Sequence, residues 1–238
     1  MKHIVQFSGG KDSTCMLLMM LERGMQVDEI TFCDTGMEFP QMYEHIDKVE
    51  RYIGRKITRL KAEHSYEWYM FEKPREKGKW QDVRGYGWAR MWQRWCTRVL
   101  KQQVFARYSK EIGEHILYMG IAYDEPKRHS RKKKNHIHPL YDWQITEAKA
   151  LFYCKRHSFN WGGLYDEFKR VSCWCCPLQP LSALRTLYHK HPELWERLKE
   201  MDSKLEYKFQ PEYSVEQLEE RFIREDNGKR IAISLWDE

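Results

Sequence analysis

Short apolar runs alternate with longer amphipathic stretches along the first half of the chain. The run 3–7 (HIVQF) has the length and β-former content of a buried strand. A polar turn, SGGKDS, follows it, and residues 14–23 then carry helical spacing that Gly24 ends. The pattern repeats: a strand at 29–33 (EITFC), a DTGMEFP loop, and a helix over 40–53 with Pro40 in its first turn. Strands at 56–60 and 115–121 enclose a helix predicted over about 91–109. Strands alternating with helices imply parallel βαβ units. The expected class is α/β, an open and mostly parallel sheet with helices on both faces. Beyond residue 125 the spacing turns helical, at 145–157, 181–190, 192–205 and 214–225, where Ser214 and Gln217 fit a capping box. The run 231–235 (IAISL) reads as a late strand. Repeats, a Gly/Ser/Pro linker and a clean boundary are all absent, so one domain over 1–178 with a C-terminal helical extension over 179–238 is expected.

The chain has 238 residues, 42% of them hydrophobic and 32% charged, which suits a folded protein and not a disordered tail. No apolar run approaches the roughly 18 residues that cross a bilayer, and the first residues do not form a secretory signal. Neither a membrane protein nor a secreted disulfide scaffold is expected. Lys and Arg number 41 against 35 Asp and Glu, a net charge of +6. The six Lys or Arg of 127–134 (KRHSRKKK) account for all of it. Such a block is a solvated loop or a grip on phosphates. His129, His136 and His138 flank it and add charge only if the pH falls. The seven cysteines, an odd number, point to a reducing and hence cytoplasmic setting. Cys15, Cys33 and Cys154 sit in apolar runs and read as core residues.

The turn Ser8-Gly9-Gly10-Lys11-Asp12-Ser13, between a strand and a helix, has the ingredients of a phosphate cradle. Glycines let successive N–H groups face an anion, the helix adds its positive end, and Lys11 adds a point charge. It is not a Walker A loop: Val5 stands at the first glycine position, and Asp12 follows the lysine. The plainer reading is a polar turn with Ser13 as N-cap.

SGGKDS after an N-terminal strand resembles the pyrophosphate loop of the PP-loop ATP pyrophosphatases. Three further segments are similar to the PAPS reductase-like branch of that superfamily. Residues 33–40 (CDTGMEFP) resemble its D-T-G-x-x-F-P loop. Residues 120–128 (GIAYDEPKR) resemble its G-x-R-x-x-E-x-x-R segment, with Ala122 in place of the first arginine. Residues 139–143 (PLYDW) resemble P-L-x-D-W. The matches run in family order over about three quarters of the chain. The resemblance implies an adenine nucleotide α hydrolase-like fold, and ATP split between its α and β phosphates or an adenylyl-sulfate nucleotide in the same pocket. Ser8, Gly9, Gly10, Lys11, Asp12, Ser13, Asp34, Thr35, Gly36 and Gly120 would line that pocket. Lys11, Asp12 and Asp34 are the catalytic candidates, the two aspartates as Mg²⁺ ligands or ribose contacts. Asp34 reads alternatively as the head of a turn.

Cys173, Cys175 and Cys176 (CWCCP) and the remote Cys96 offer four thiols to an iron–sulfur cluster or a zinc ion. The resemblance implies [4Fe–4S], although Trp95 replaces the first cysteine of the family's Cys-Cys pair. The alternatives are a three-cysteine cluster with an open iron, zinc, and buried structural cysteines. No cysteine follows Cys176, whereas the family's reductases use a nucleophilic cysteine near the C-terminus. Sulfonucleotide reduction by the family mechanism is therefore disfavoured.

In GWARMWQRWCTRVLKQQ, Trp88, Trp92 and Trp95 would share one helical face, and Arg90, Arg94 and Arg98 another. One reading is a tryptophan core face behind solvated arginines. The other places Arg94, Arg98 and Lys101 on a phosphorylated ligand, with tryptophan stacked on a base. Lys127 and Arg128 join them as substrate-binding candidates. The resulting expectation is an adenylating, sulfurtransferase-like enzyme using ATP, Mg²⁺ and a cluster, with a nucleic-acid or other polyanionic acceptor and a sulfur-donor protein as partners. A PAPS or APS reductase, and a non-catalytic nucleotide or nucleic-acid module, are the rivals.

Overall fold

The computed structural model describes residues 1–74 and 83–234. Five strands, β1 (Lys2–Gln6), β2 (Glu29–Asp34), β3 (Thr58–Lys61), β4 (His115–Met119) and β5 (His136–Ile137), form one sheet in the order β3-β2-β1-β4-β5. Every pairing is parallel. β1 lies at the centre, and its Ile4 and Val5 are fully buried, as a strand covered on both faces requires. The α/β class expected from the alternation is the one observed. β5, two residues long, was not foreseen.

Helices α1 (Lys11–Glu22) and α2 (Pro40–Ile53) follow β1 and β2. α3 (Trp95–Thr97) runs through a π-helical turn, Arg98–Gln102, into α4 (Gln103–Ile112). Right-handed crossovers put α1 and α2 on one face of the sheet and the π turn with α4 on the other. Short helices α5 (Pro126–His129) and α6 (Pro139–Asp142), then α7 (Glu147–Arg156) and α8 (Leu164–Glu167), complete the part of the chain around the sheet. The remaining helices are α9 (Leu181–Lys190), α10 (Pro192–Ser203) and α11 (Val215–Ser234). Two compact units result. One comprises 1–63 and 96–171 and contains the sheet; the other joins 64–95 to 172–238.

Three local expectations need correction. The helix expected from about 91 begins at Trp95. Ahead of it, Arg90 and Gln93 exchange backbone hydrogen bonds of 3.2 and 3.0 Å, which closes a two-residue turn and stops helical propagation. Trp88, Trp92 and Trp95 therefore share no helical face. Trp88 and Trp95 are buried, whereas Trp92 is 83% exposed. The strand expected at 231–235 is helical over 231–234, where α11 continues, and Leu235 lies outside the described residues. A short apolar run does not by itself distinguish a strand from the end of a helix. Ser13 lies inside α1, whose N-cap is Gly10. By contrast, Ser214 and Gln217 form the reciprocal pair of a capping box: each backbone N–H donates to the other's side chain, at 3.1 and 3.2 Å.

Candidate functional site

In this strand order the connections from β1 and from β4 leave in opposite directions, so a crevice opens at the carboxyl ends of these two strands. The Ser8–Ser13 turn occupies that end of β1. Gly9 has φ of +78°, and a Cβ there would lie 2.7 Å from Met42 Sδ. Gly120, just beyond β4, passes so close to α1 that a Cβ would lie 2.8 Å from the Ser13 nitrogen. Gly120 thus requires glycine for space against the α1 backbone, and Gly9 requires it for its backbone conformation.

Inside the turn, Ser13 Oγ accepts from the Ser8 N–H (3.1 Å) and donates to the Gly10 carbonyl (3.0 Å). Trp161 braces it from behind: its indole N–H donates to the Gly9 carbonyl at 2.7 Å, and its ring stacks on His45 at 4.3 Å. His45 Nε2 in turn lies 2.9 Å from Thr14 Oγ1 in the first turn of α1. Burial pushes His45 down to about 3, so the imidazole is neutral at physiological pH. Among the described residues, the N–H groups of Gly9, Gly10, Asp12 and Ser13 make no hydrogen bond, while that of Lys11 donates to Tyr165 Oη at 3.0 Å. A helix start with unspent donors and a nearby lysine favours an anion.

Lys11 is 9% exposed, and its Nζ lies 2.8 Å from Glu147 and 3.1 Å from Asp12. Burial opposes its charge, but the two carboxylates outweigh burial and its pKa is raised. Burial pushes Asp12 up to about 6, against the pull of Lys11. Asp12 Oδ1 is buried without a hydrogen-bond partner. Asp34 is differently placed. Its Oδ1 accepts from the Gly36 N–H and the Tyr43 hydroxyl, both at 2.9 Å, and Lys61 lies 3.4 Å from its Oδ2. It heads a turn, with both oxygens engaged. Of the two aspartates, Asp12 is the one with an oxygen that has no hydrogen-bond partner among the described residues.

Lys101 approaches Glu38 of the same loop at 3.3 Å. Its carbonyl lies 3.7 Å from the Cys33 thiol, which burial pushes up to about 11. Arg128 pairs with Glu125 at 2.6 Å, and Lys127 and Arg98 are exposed. Arg94 is also exposed and belongs to the unit of 64–95 and 172–238. Cys15, Cys33 and Cys154 are buried, as their apolar settings suggested. The four remaining cysteines divide between the units, Cys96 in one and Cys173, Cys175 and Cys176 in the other. Gln179 clamps the Cys173–Cys176 turn through the Cys173, Trp174 and Cys176 carbonyls at 3.2, 3.0 and 3.3 Å. Cys175 is buried, whereas Cys173 and Cys176 are half-exposed. Among the described residues no three Cys, His, Asp or Glu side chains converge to hold a metal.

Sequence reading missed Trp161, Tyr165 and Glu147, which lie more than 130 residues from the turn they touch. Their only local signal was position, shortly after the PLYDW segment, with Gly162-Gly163 marking a sharp bend.

A domain family described as phosphoadenosine phosphosulfate reductase matches residues 2–179, and the chain belongs to that PAPS reductase-like family of the PP-loop superfamily. An uncharacterized protein of Methanocaldococcus jannaschii is 28% identical over 208 residues, 82% of this chain and 40% of that protein. A second from the same organism is 24% identical over 203 residues, 80% of this chain and 45% of that protein. The chain thus spans less than half the length of these curated relatives. A crystal structure of phosphoadenylyl-sulfate reductase from Candida auris, a phosphate complex, aligns at 19% identity and a TM-score of 0.49, over 72% of this chain and 81% of that one. No helix among the described residues is long and apolar enough to cross a membrane.

Proposed function

We propose that this chain binds ATP, or an adenylyl-sulfate nucleotide, with the phosphates on the Ser8–Ser13 turn. In this reading it splits ATP between the α and β phosphates, adenylates an acceptor and releases pyrophosphate in the course of sulfur transfer. The observation that carries it is the group of unspent N–H donors at the start of α1, beside Lys11, at the carboxyl end of the central strand. Donors fixed there before the reaction stabilise charge as pyrophosphate departs. Lys11 supplies the cation: a phosphate competes for it with Glu147, the more exposed of its two partners at 44%. Thr35 and Gly36 of the neighbouring loop are further proposed contacts of the nucleotide, as is Gly120, which lets the chain after β4 pass close to the start of α1. Mg²⁺ would sit on the spare oxygen of Asp12 and supply charge neutralisation to the phosphates.

The 127–134 block and Lys101 are the proposed contacts for a polyanionic acceptor, and a separate protein donates the sulfur. Cys96, Cys173 and Cys176, with or without Cys175, are the proposed ligands of a [4Fe–4S] cluster or of zinc. Among the described residues these side chains do not converge on a metal-sized site. Product analysis tests the main reading. Mg-ATP with candidate acceptors should give AMP and pyrophosphate. ADP with orthophosphate would overturn it, and sulfite released from PAPS or APS with thioredoxin would favour the reductase. Anaerobic purification with iron, sulfide and zinc analysis tests the thiols separately.

A further inference from the structure

Residues 83–95 are not used by the proposed nucleotide site, and they display an exposed aromatic residue. At the tip of the Arg90–Gln93 turn, Met91 is 76% and Trp92 83% exposed. This is not a loose loop. Arg90 donates to the Phe209 and Lys208 carbonyls at 2.8 and 2.5 Å. Trp88 donates to Asp202 at 2.7 Å and meets Phe209 edge-on at 4.8 Å. Trp95, two residues beyond the turn, is buried, and its indole N–H donates to the Gly87 carbonyl at 2.9 Å. A large indole held out in water on an anchored base is the arrangement of a binding group and not of a core residue.

Arg90 and Gln93 also form part of the wall of a cavity of about 940 Å³ in the same unit, with Tyr86, Arg84, Lys204 and Tyr207. Tyr207 is 53% exposed. Arg84 is 77% exposed and approaches Glu72 at 3.8 Å. Arg94, on the far side of the turn, is exposed too. Exposed rings and exposed guanidinium groups thus occur together in this unit, and Glu72 and Glu206 also line the cavity.

We propose that this surface binds single-stranded nucleic acid, with bases stacked on Trp92 and Tyr207 and phosphates held by Arg84 and Arg94. Every base has a π-face, so stacking platforms of this kind accept single strands with little regard to sequence, and cations between them follow the backbone. The pairing of exposed rings with exposed arginines is what favours a nucleic acid over an apolar peptide, which would leave the arginines unmatched. The proposal is independent of the nucleotide reading: it needs neither ATP nor Lys11.

The test is fluorescence anisotropy of end-labelled dT12 and U12 with the full chain, without ATP, and sedimentation of the same samples. Wild type should bind both oligomers. Trp92→Ala and Tyr207→Ala should each weaken binding by roughly 5- to 100-fold, and Trp92→Phe should restore most of it. Arg84→Gln and Arg94→Gln should each lower the slope of log affinity against log salt by about 0.7. Trp92 is exposed, so its variant should keep the wild-type melting temperature. Equal binding by wild type and Trp92→Ala would overturn the proposal. So would self-association through Trp92 without oligonucleotide binding, or competition by duplex DNA as effective as by single strands.

Discussion

Two motifs stood out in the sequence, the glycine turn 8–13 and the tryptophan–arginine stretch 87–98, and they fared differently on folding. The turn adopts the form its residues imply, with Gly9 in a left-handed conformation and α1 starting at Lys11. The tryptophan stretch breaks its apparent period: one indole faces solvent and two are buried. In the turn the determining forces are local, namely steric freedom at glycine and the hydrogen bonds of Ser8 and Ser13. In the other stretch they are distant. Asp202 draws in Trp88, and the Phe209 and Lys208 carbonyls fix Arg90. Periodicity is a weak guide wherever tertiary partners far along the chain capture individual side chains.

Four measurements would break or sharpen that contrast. The largest effect is expected from Lys11→Met, which should lower kcat/KM for pyrophosphate release by about 10²–10³-fold, the usual loss when a transition-state charge partner is removed. Titration with nucleotide separates binding from chemistry. Gly120→Ala comes next. It forces a methyl group to within 2.8 Å of the Ser13 nitrogen and should cost about 1–3 kcal/mol, read as a shift in denaturation midpoint.

The third concerns Asp12. Its folded pKa is raised to about 6 by burial, above its ordinary value, so the folded state holds the proton more tightly than the unfolded state does. Its contribution to stability therefore falls as pH rises from about 4 to 6. Affinity for a magnesium nucleotide should move the other way, rising about tenfold per pH unit up to about 6 and levelling beyond. Asp12→Asn should flatten that profile in calorimetric titration. The smallest effect is expected in the tryptophan stretch. Trp92→Ala should change stability by no more than about 0.5 kcal/mol, whereas Trp95, fully enclosed, should cost about 3–5 kcal/mol when truncated to alanine. Equal losses at the two positions would show that the turn is packed in solution.

How much was legible follows the same division. The four longer strands, helix α2 with Pro40 at its start, and the Ser214–Gln217 cap were all readable, because each depends on neighbours within one element. The glycine turn 8–13 and the Asp34–Gly36 loop were readable for the same reason. The partners of the turn were not. Glu147 reaches Lys11 only because α7 packs along α1, and Tyr165 meets the Lys11 N–H only through a bend at Gly162-Gly163. Nothing near Trp161 in the sequence announces that its indole will find a carbonyl at residue 9. Nor did period reveal that Arg90–Gln93 would close on itself.

Trp161 itself adopts a φ of +51°, a left-handed conformation in which a tryptophan is costly. Its indole is tied at both ends, to the Gly9 carbonyl and to the His45 ring, and those ties hold the backbone there. A kindred chain could therefore preserve all six letters of SGGKDS and still lack a properly shaped cradle, if it carries no indole donor at the position matching 161. Surveys that score such sites by the short motif alone would overlook the strut that keeps it in form.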